Sequence, residues 1–126
     1  MDLKKLANQY KDELLNNVLP FWLEHSQDHE FGGYFTCLDC EGNVFDTDKF
    51  IWLQGREVWL FSMLYNKVEK KQEWLDCAIQ GGEFLKKYGH DGNYHWYFSL
   101  DRAGNPLVEP YNIFSYTFAT MNLHSP

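Results

Sequence analysis

The spacing of apolar residues predicts an all-α protein carrying small β-hairpins, with its helices in two concentric layers, as in an α/α toroid or an α-solenoid. Two observations predict it. Helices with one apolar stripe alternate with helices that are apolar all round, the pattern of an outer layer facing water and an inner layer packed between neighbours. A hairpin motif also recurs at a fixed interval. Leu38-Asp39-x-x-Gly42-Asn43 matches Leu100-Asp101-x-x-Gly104-Asn105, and the same 62-residue offset sets Ile51 on Ile113 and Trp52 on Phe114. The unit is therefore a one-sided helix, a loop with a hairpin, and an inner helix. The 126 residues hold about two units.

The first helix is expected over 3–23. Leu3, Leu6, Tyr10, Leu14, Val18 and Phe21/Trp22 form one buried stripe, opposite Lys4, Lys5, Gln9, Asp12, Glu13, Asn16 and Asn17. Pro20 should kink or restart it. His25 to Gly33 reads as a polar surface loop. Tyr34–Leu38 is a strand, Glu41-Gly42-Asn43 a turn, and Val44-Phe45 the return. Asp46, Thr47 and Asp48 are N-cap candidates for an inner helix over about 49–67, apolar on every side. A one-sided helix follows at 72–88 with Trp74, Leu75, Ala78, Ile79, Leu85 and Tyr88. Gly89 and Gly92 break it, Tyr94–Leu100 is a strand candidate, and Ala103-Gly104-Asn105-Pro106 turns. Pro110 suits the first turn of a second inner helix containing Ile113, Phe114, Tyr116, Phe118, Ala119 and Met121. Two units cannot close a ring and would leave an inner face bare. The alternative at this level is a two-unit bundle that stands by itself.

Composition excludes several function classes. Eleven basic against eighteen acidic residues give a net charge of −7, which argues against nucleic acid as the main partner. Aromatic residues reach 18 %, far too many for a disordered chain. The N-terminus has no apolar signal core, and no stretch is long enough to span a membrane, so neither secretion nor a membrane partner is expected. Cys37, Cys40 and Cys77 read as free thiols in a reducing cytosol. The Cys37-x-x-Cys40 pair lacks a second ligand pair and runs into a turn, so it receives neither metal nor redox chemistry.

Arg56 is the residue most suggestive of chemistry. A guanidinium inside an apolar helix is costly unless it is paired or serves a ligand. Facing a central cavity, it could fork onto sugar hydroxyls or a developing oxyanion. The competing reading is an arginine tied to an acid such as Glu57 or Asp48. Trp52, Trp59, Phe114 and Tyr116 could stack on a sugar ring or serve as ordinary packing between layers. His25, His29, Asp28 and Glu30 fit no common metal spacing and read as surface residues. Asp39, Asp46 and Asp48 likewise read as loop and cap residues. Glu57 is the only acid within either inner helix, which leaves poor support for a two-carboxylate glycoside hydrolase.

The run Phe21-Trp22-x-x-His25-Ser26-x-Asp28-x-Glu30-x-Gly32-Gly33-Tyr34-Phe35-Thr36-Cys37-Leu38 resembles the N-terminal signature of the N-acylglucosamine 2-epimerases, also called renin-binding proteins. Lys49-Phe50-Ile51-Trp52-Leu53-Gln54-Gly55-Arg56-x-Val58-Trp59 continues it. Gly81-Gly82-Glu83-Phe84-Leu85 and Asn112-Ile113-Phe114-Ser115 extend it, so it covers about residues 5–121. The Trp-Leu-Gln-x-Arg run separates this group from the related cellobiose 2-epimerases.

The resemblance implies an (α/α)6 barrel of twelve helices, of which residues 1–126 would be the N-terminal third, a partial barrel of about four helices. It implies interconversion of N-acetylglucosamine and N-acetylmannosamine through removal of the C2 proton, an enediolate and reprotonation on the opposite face. The family's histidine bases lie on later inner helices, beyond residue 126, so no catalytic residue is expected here and the chain alone should be inactive. Arg56 matches the family's cavity arginine, and with Trp52 it forms the expected substrate-binding set. No cofactor is required for the chemistry and no metal is expected. ATP would act as an activator, the full-length protein would form a homodimer, and the setting would be cytoplasmic. The alternative is a non-catalytic helical-repeat module that binds a partner through its bare inner face.

Overall fold

The computed structural model describes residues 1–109 and 113–123. Four helical rods and two small sheets are seen among them. The first rod runs from Leu3 to His25 in three pieces. They are α1 (Leu3–Glu13), a π-helical turn (Leu14–Val18) and α2 (Leu19–His25). Asp2 caps α1 through its carboxylate, which accepts from the amides of Lys4 and Lys5 at 3.1 Å each. The expected disturbance at Pro20 appears upstream of the proline. Lacking an N–H, Pro20 cannot bond back along the helix, and the chain widens so that the Leu19 amide reaches the Leu14 carbonyl five residues back. The rod then continues two residues past its expected end.

The stripe expected to be buried stays largely exposed along α1. No residue of α1 is buried, and Leu3 and Tyr10 are 72 % and 70 % exposed. Burial in the rod starts at Leu19.

The polar loop leads into β1 (Cys37–Leu38), which pairs antiparallel with β2 (Val44–Asp46). Next comes β3 (Lys49–Phe50) and then α3 (Ile51–Lys67). The expected capping by Asp46–Asp48 does not occur. Phe50 holds the N-cap position without a side-chain bond, because 49–50 are spent as a strand. The Asp46 carboxylate accepts from the Asp48 amide instead. At α4 (Gln72–Tyr88) the helix bounds match the expectation. The strand expected over 94–100 contracts to β4 (Ser99–Leu100). It lies between β3 and β5 (Pro106–Val108) in a three-stranded antiparallel sheet. Tyr94 adopts φ 67°, a left-handed conformation that a strand excludes. The last helix, α5, spans Ile113–Leu123. The expected role of Pro110 lies outside the described residues.

The burial of α3 differs from the expectation. The helix was expected to be buried on most sides, yet its buried residues are Ile51, Gln54, Gly55, Val58, Phe61 and Leu64. That three-to-four spacing is a single stripe, packed against α4 and α5. Trp52, Leu53, Trp59 and Leu60 are half-buried on the remaining faces.

The 62-residue repeat is geometric as well as textual. In the first hairpin the Asp39 carboxylate accepts from the Asn43 amide at 2.8 Å and from the Asn43 side chain at 3.0 Å. In the second, Asp101 and Asn105 repeat both bonds at 2.8 and 2.9 Å. Gly42 and Gly104 take φ 90° and 96°. Each lies on an aromatic ring at the end of the preceding helix, His25 and Tyr88 respectively, so close that a Cβ would come within 2.5 Å of it.

The loop before β1 is held like a short strand. The Gln54 amide group accepts from the Tyr34 N–H and donates to the Tyr34 carbonyl, both at 2.8 Å. Gln80 does the same for Gly33, at 2.8 and 3.2 Å. Gln54→Leu leaves both Tyr34 backbone groups buried and unpaired. At about 1–3 kcal/mol for each group, thermal denaturation should show Tm falling by well over 5 °C. No loss of Tm in that variant would refute this role.

Candidate functional site: a tryptophan-lined cleft on the inner helix

A cleft of about 390 Å³ opens between the first rod and α3. The π turn contributes Leu14 and Val18 to its wall, α2 contributes Trp22, and α3 contributes Trp52, Arg56 and Trp59. The volume falls within the range of small-molecule sites, and the wall is mainly apolar with a few polar groups, as such sites usually are. Both residues singled out from the sequence, Arg56 and Trp52, therefore line one cavity.

Arg56 is exposed. Among the described residues no carboxylate pairs with it, and its guanidinium carbon lies 5.6 Å from the Phe118 ring centroid. The expectation of an arginine buried inside an apolar helix is thus corrected, since the face that carries it is open. Trp52 faces the same aromatic neighbour, with ring centroids 5.9 Å apart and planes tilted by 50°. Trp52 and Phe118 also line a second cavity together with Phe98 and Phe114.

Glu57, the acid suggested as a partner for Arg56, is bonded elsewhere. It accepts a short hydrogen bond from the Ser26 hydroxyl. Burial pushes its carboxyl up to about 8, against the opposing effect of the Ser26 bond, so it is neutral at pH 7. Nearby, Tyr34 is fully buried and donates its hydroxyl to the Cys77 carbonyl at 2.7 Å. Burial raises the Tyr34 hydroxyl and the Cys77 thiol well above their ordinary values, and the proximity of Glu57 adds to both.

Asp28 corrects a second expectation. It is only 2 % exposed, although the loop containing it was expected to lie on the surface. Its carboxylate accepts from Lys49 Nζ at 2.8 Å and from Arg102 Nε and Nη2 at 3.0 and 3.1 Å. Lys49 is fully buried and also donates to the carbonyls of Gly32 and Arg102. This clasp ties the first loop, the strand entering α3 and the second hairpin together. Arg102 also reaches Glu30 at 2.9 Å. Residue 49 was expected only as the start of the inner helix, and nothing local in the sequence marks Lys49 or Arg102 as a partner of Asp28.

The histidines occupy other surroundings. His25 packs on Phe21 and Gly42, and His95 meets the Asp91 carboxylate at 2.9 Å in an exposed loop. Among the described residues no helix is long and apolar enough to cross a membrane.

Solved structures share this architecture. A sugar epimerase from a ruminal bacterium superposes with a TM-score of 0.85 at 28 % identity, over 95 % of this chain and 31 % of that one. Cellobiose 2-epimerase from Bacillus thermoamylovorans gives 0.81 at 31 % identity, over 91 % and 30 %. These neighbours are (α/α)6 barrels, so the fold is that of a partial barrel of the sugar-epimerase class. The model of the N-acylglucosamine 2-epimerase family matches residues 33–125. The chain belongs to that family. It is 43 % identical over 117 residues to N-acylglucosamine 2-epimerase from Mus musculus, covering 90 % of this chain and 28 % of that protein. Cellobiose 2-epimerase from Dictyoglomus turgidum is 30 % identical, over 98 % and 32 %. The chain thus spans less than a third of the length of these relatives.

Proposed function

We propose that this chain is the sugar-contacting first part of a 2-epimerase acting on N-acylated hexosamines, interconverting N-acetylglucosamine and N-acetylmannosamine. The observation that carries this reading is the meeting of Arg56 and Trp52 in one cleft, on the helix that bears the family's Trp-Leu-Gln-Gly-Arg run. Trp52 offers an aromatic face to the sugar ring. Arg56, with no carboxylate paired to it among the described residues, offers planar donors to the oxygen that gains charge as the C2 proton leaves. Inversion at C2 needs an acid/base group on each face. The histidines of the described residues are held in loops and helix ends, so those groups belong to later repeats. An ATP site acting through activation, a homodimer and a cytoplasmic setting complete the proposal.

Titration of the 126-residue chain with either sugar, followed by ligand-observed NMR, tests it. Saturable binding is expected, weakened at least tenfold by Arg56→Ala, about 1.4 kcal/mol. Conversion of one sugar to the other by this chain alone is not expected. Binding that Arg56→Ala leaves unchanged would overturn the assignment, and turnover by the isolated chain would overturn the placement of the acid/base groups in later repeats.

A further inference from the structure

Resting on this reading of the cleft, we infer that Glu57 is a positioning residue for Arg56, its carboxyl pinned by Ser26 so that α3 presents the guanidinium at the cleft mouth. Ser26 is a fixed reference. It is fully buried at the end of α2, its N–H donates to the Trp22 carbonyl at 2.9 Å, and its own carbonyl accepts from Phe35 at 2.6 Å. Trp22 and Thr36, on either side of that anchor, both line the cleft. Neighbouring residues on a helix point about 100° apart. Fixing Glu57 toward α2 therefore fixes the direction of Arg56, and a rotation of α3 that displaced one would displace the other.

The pin works through a neutral carboxyl. Three groups face Glu57: Ser26 from the end of α2, the Tyr34 hydroxyl from the loop and the Cys77 thiol from α4; Arg56 is its neighbour along α3. Among the described residues no cation bonds to it. With its carboxyl pushed up to about 8 by burial, it accepts the Ser26 bond uncharged at neutral pH. Ionisation leaves a carboxylate beside a phenol and a thiol with no cation bonded to it, which draws water into the Ser26 contact and releases α3.

The test follows the Arg56 side-chain NMR signal without sugar, from about pH 6 to about pH 9.5. In the native chain it should shift with a midpoint near 8. In Glu57→Gln, which keeps the acceptor and stays neutral, it should not shift. Ser26→Ala should displace the signal already at neutral pH. Sugar affinity should fall at least fivefold through the same midpoint in the native chain and remain constant in Glu57→Gln. A flat Arg56 signal in the native chain, or the same titration in Glu57→Gln, would overturn the inference. If neither sugar binds any variant, the substrate reading fails, while the Arg56 titration still decides the positioning role.

Discussion

Asp28→Asn is expected to cause the largest loss of stability of any single polar substitution in the described chain. The carboxylate is buried, and so is Lys49, its nearest charged partner at 2.8 Å. Replacing it with a neutral amide leaves the Lys49 ammonium without its counter-charge in a dry site. Breaking a buried pair in this way costs about 3–5 kcal/mol. Arg102 contributes less to that figure, because its side chain is 36 % exposed and can turn to water or to Glu30. Urea denaturation should show the midpoint falling with little change in slope. The same carboxylate makes stability dependent on acid. Burial pulls its affinity for protons up, but hydrogen bonds from Arg102, Lys49 and Phe31 outweigh this and hold it well below the usual carboxylate range. A lowered folded value means the stabilisation is complete above the unfolded value, near 3.8, and is lost as pH falls below it. Asp28→Asn should flatten that part of the stability profile. Equal midpoints for the native and substituted chains would show that the clasp contributes nothing.

Gly81→Ala should be nearly as damaging, by a different route. A Cβ on Gly81 would come 2.1 Å from the Tyr34 hydroxyl oxygen and 2.3 Å from its ring carbon. Tyr34 is fully buried, with its backbone held by Gln54 and its hydroxyl by the Cys77 carbonyl, so it cannot move aside. Overpacking of this kind costs about 1–3 kcal/mol and more where backbone must shift. The expected result is a large fall in Tm for Gly81→Ala and a small one for Gly82→Ala, whose added Cβ would meet only a Val58 methyl at 3.9 Å. Similar melting of the two variants would sink the argument.

The parts of the fold readable from the sequence are those written locally. The bounds of α4 follow from its stripe and the glycine after it, and the repeated hairpin follows from side chains four residues apart. Arg56 and Trp52 could be singled out because they share one helix and one motif. The clasp could not, since Asp28 meets partners 21 and 74 positions away. Ser26 and Glu57 are likewise 31 apart. Periodicity reports which residues are apolar and not which faces have neighbours. For that reason α3 was expected to be buried on most sides and α1 along its stripe. Two consecutive glycines at positive φ beside Asp28 were the available hint that the loop turns back on itself to close around that side chain.

The Asp-x-x-Gly-Asn hairpin bears on the order of folding. Each copy closes with bonds between residues four positions apart. Closing so short a segment costs little loop entropy, and local contacts of this kind form early. In both copies the glycine then seats on the ring that ends the preceding helix. The hairpins can therefore act as preassembled corners, each setting where an outer helix stops before its inner partner has packed.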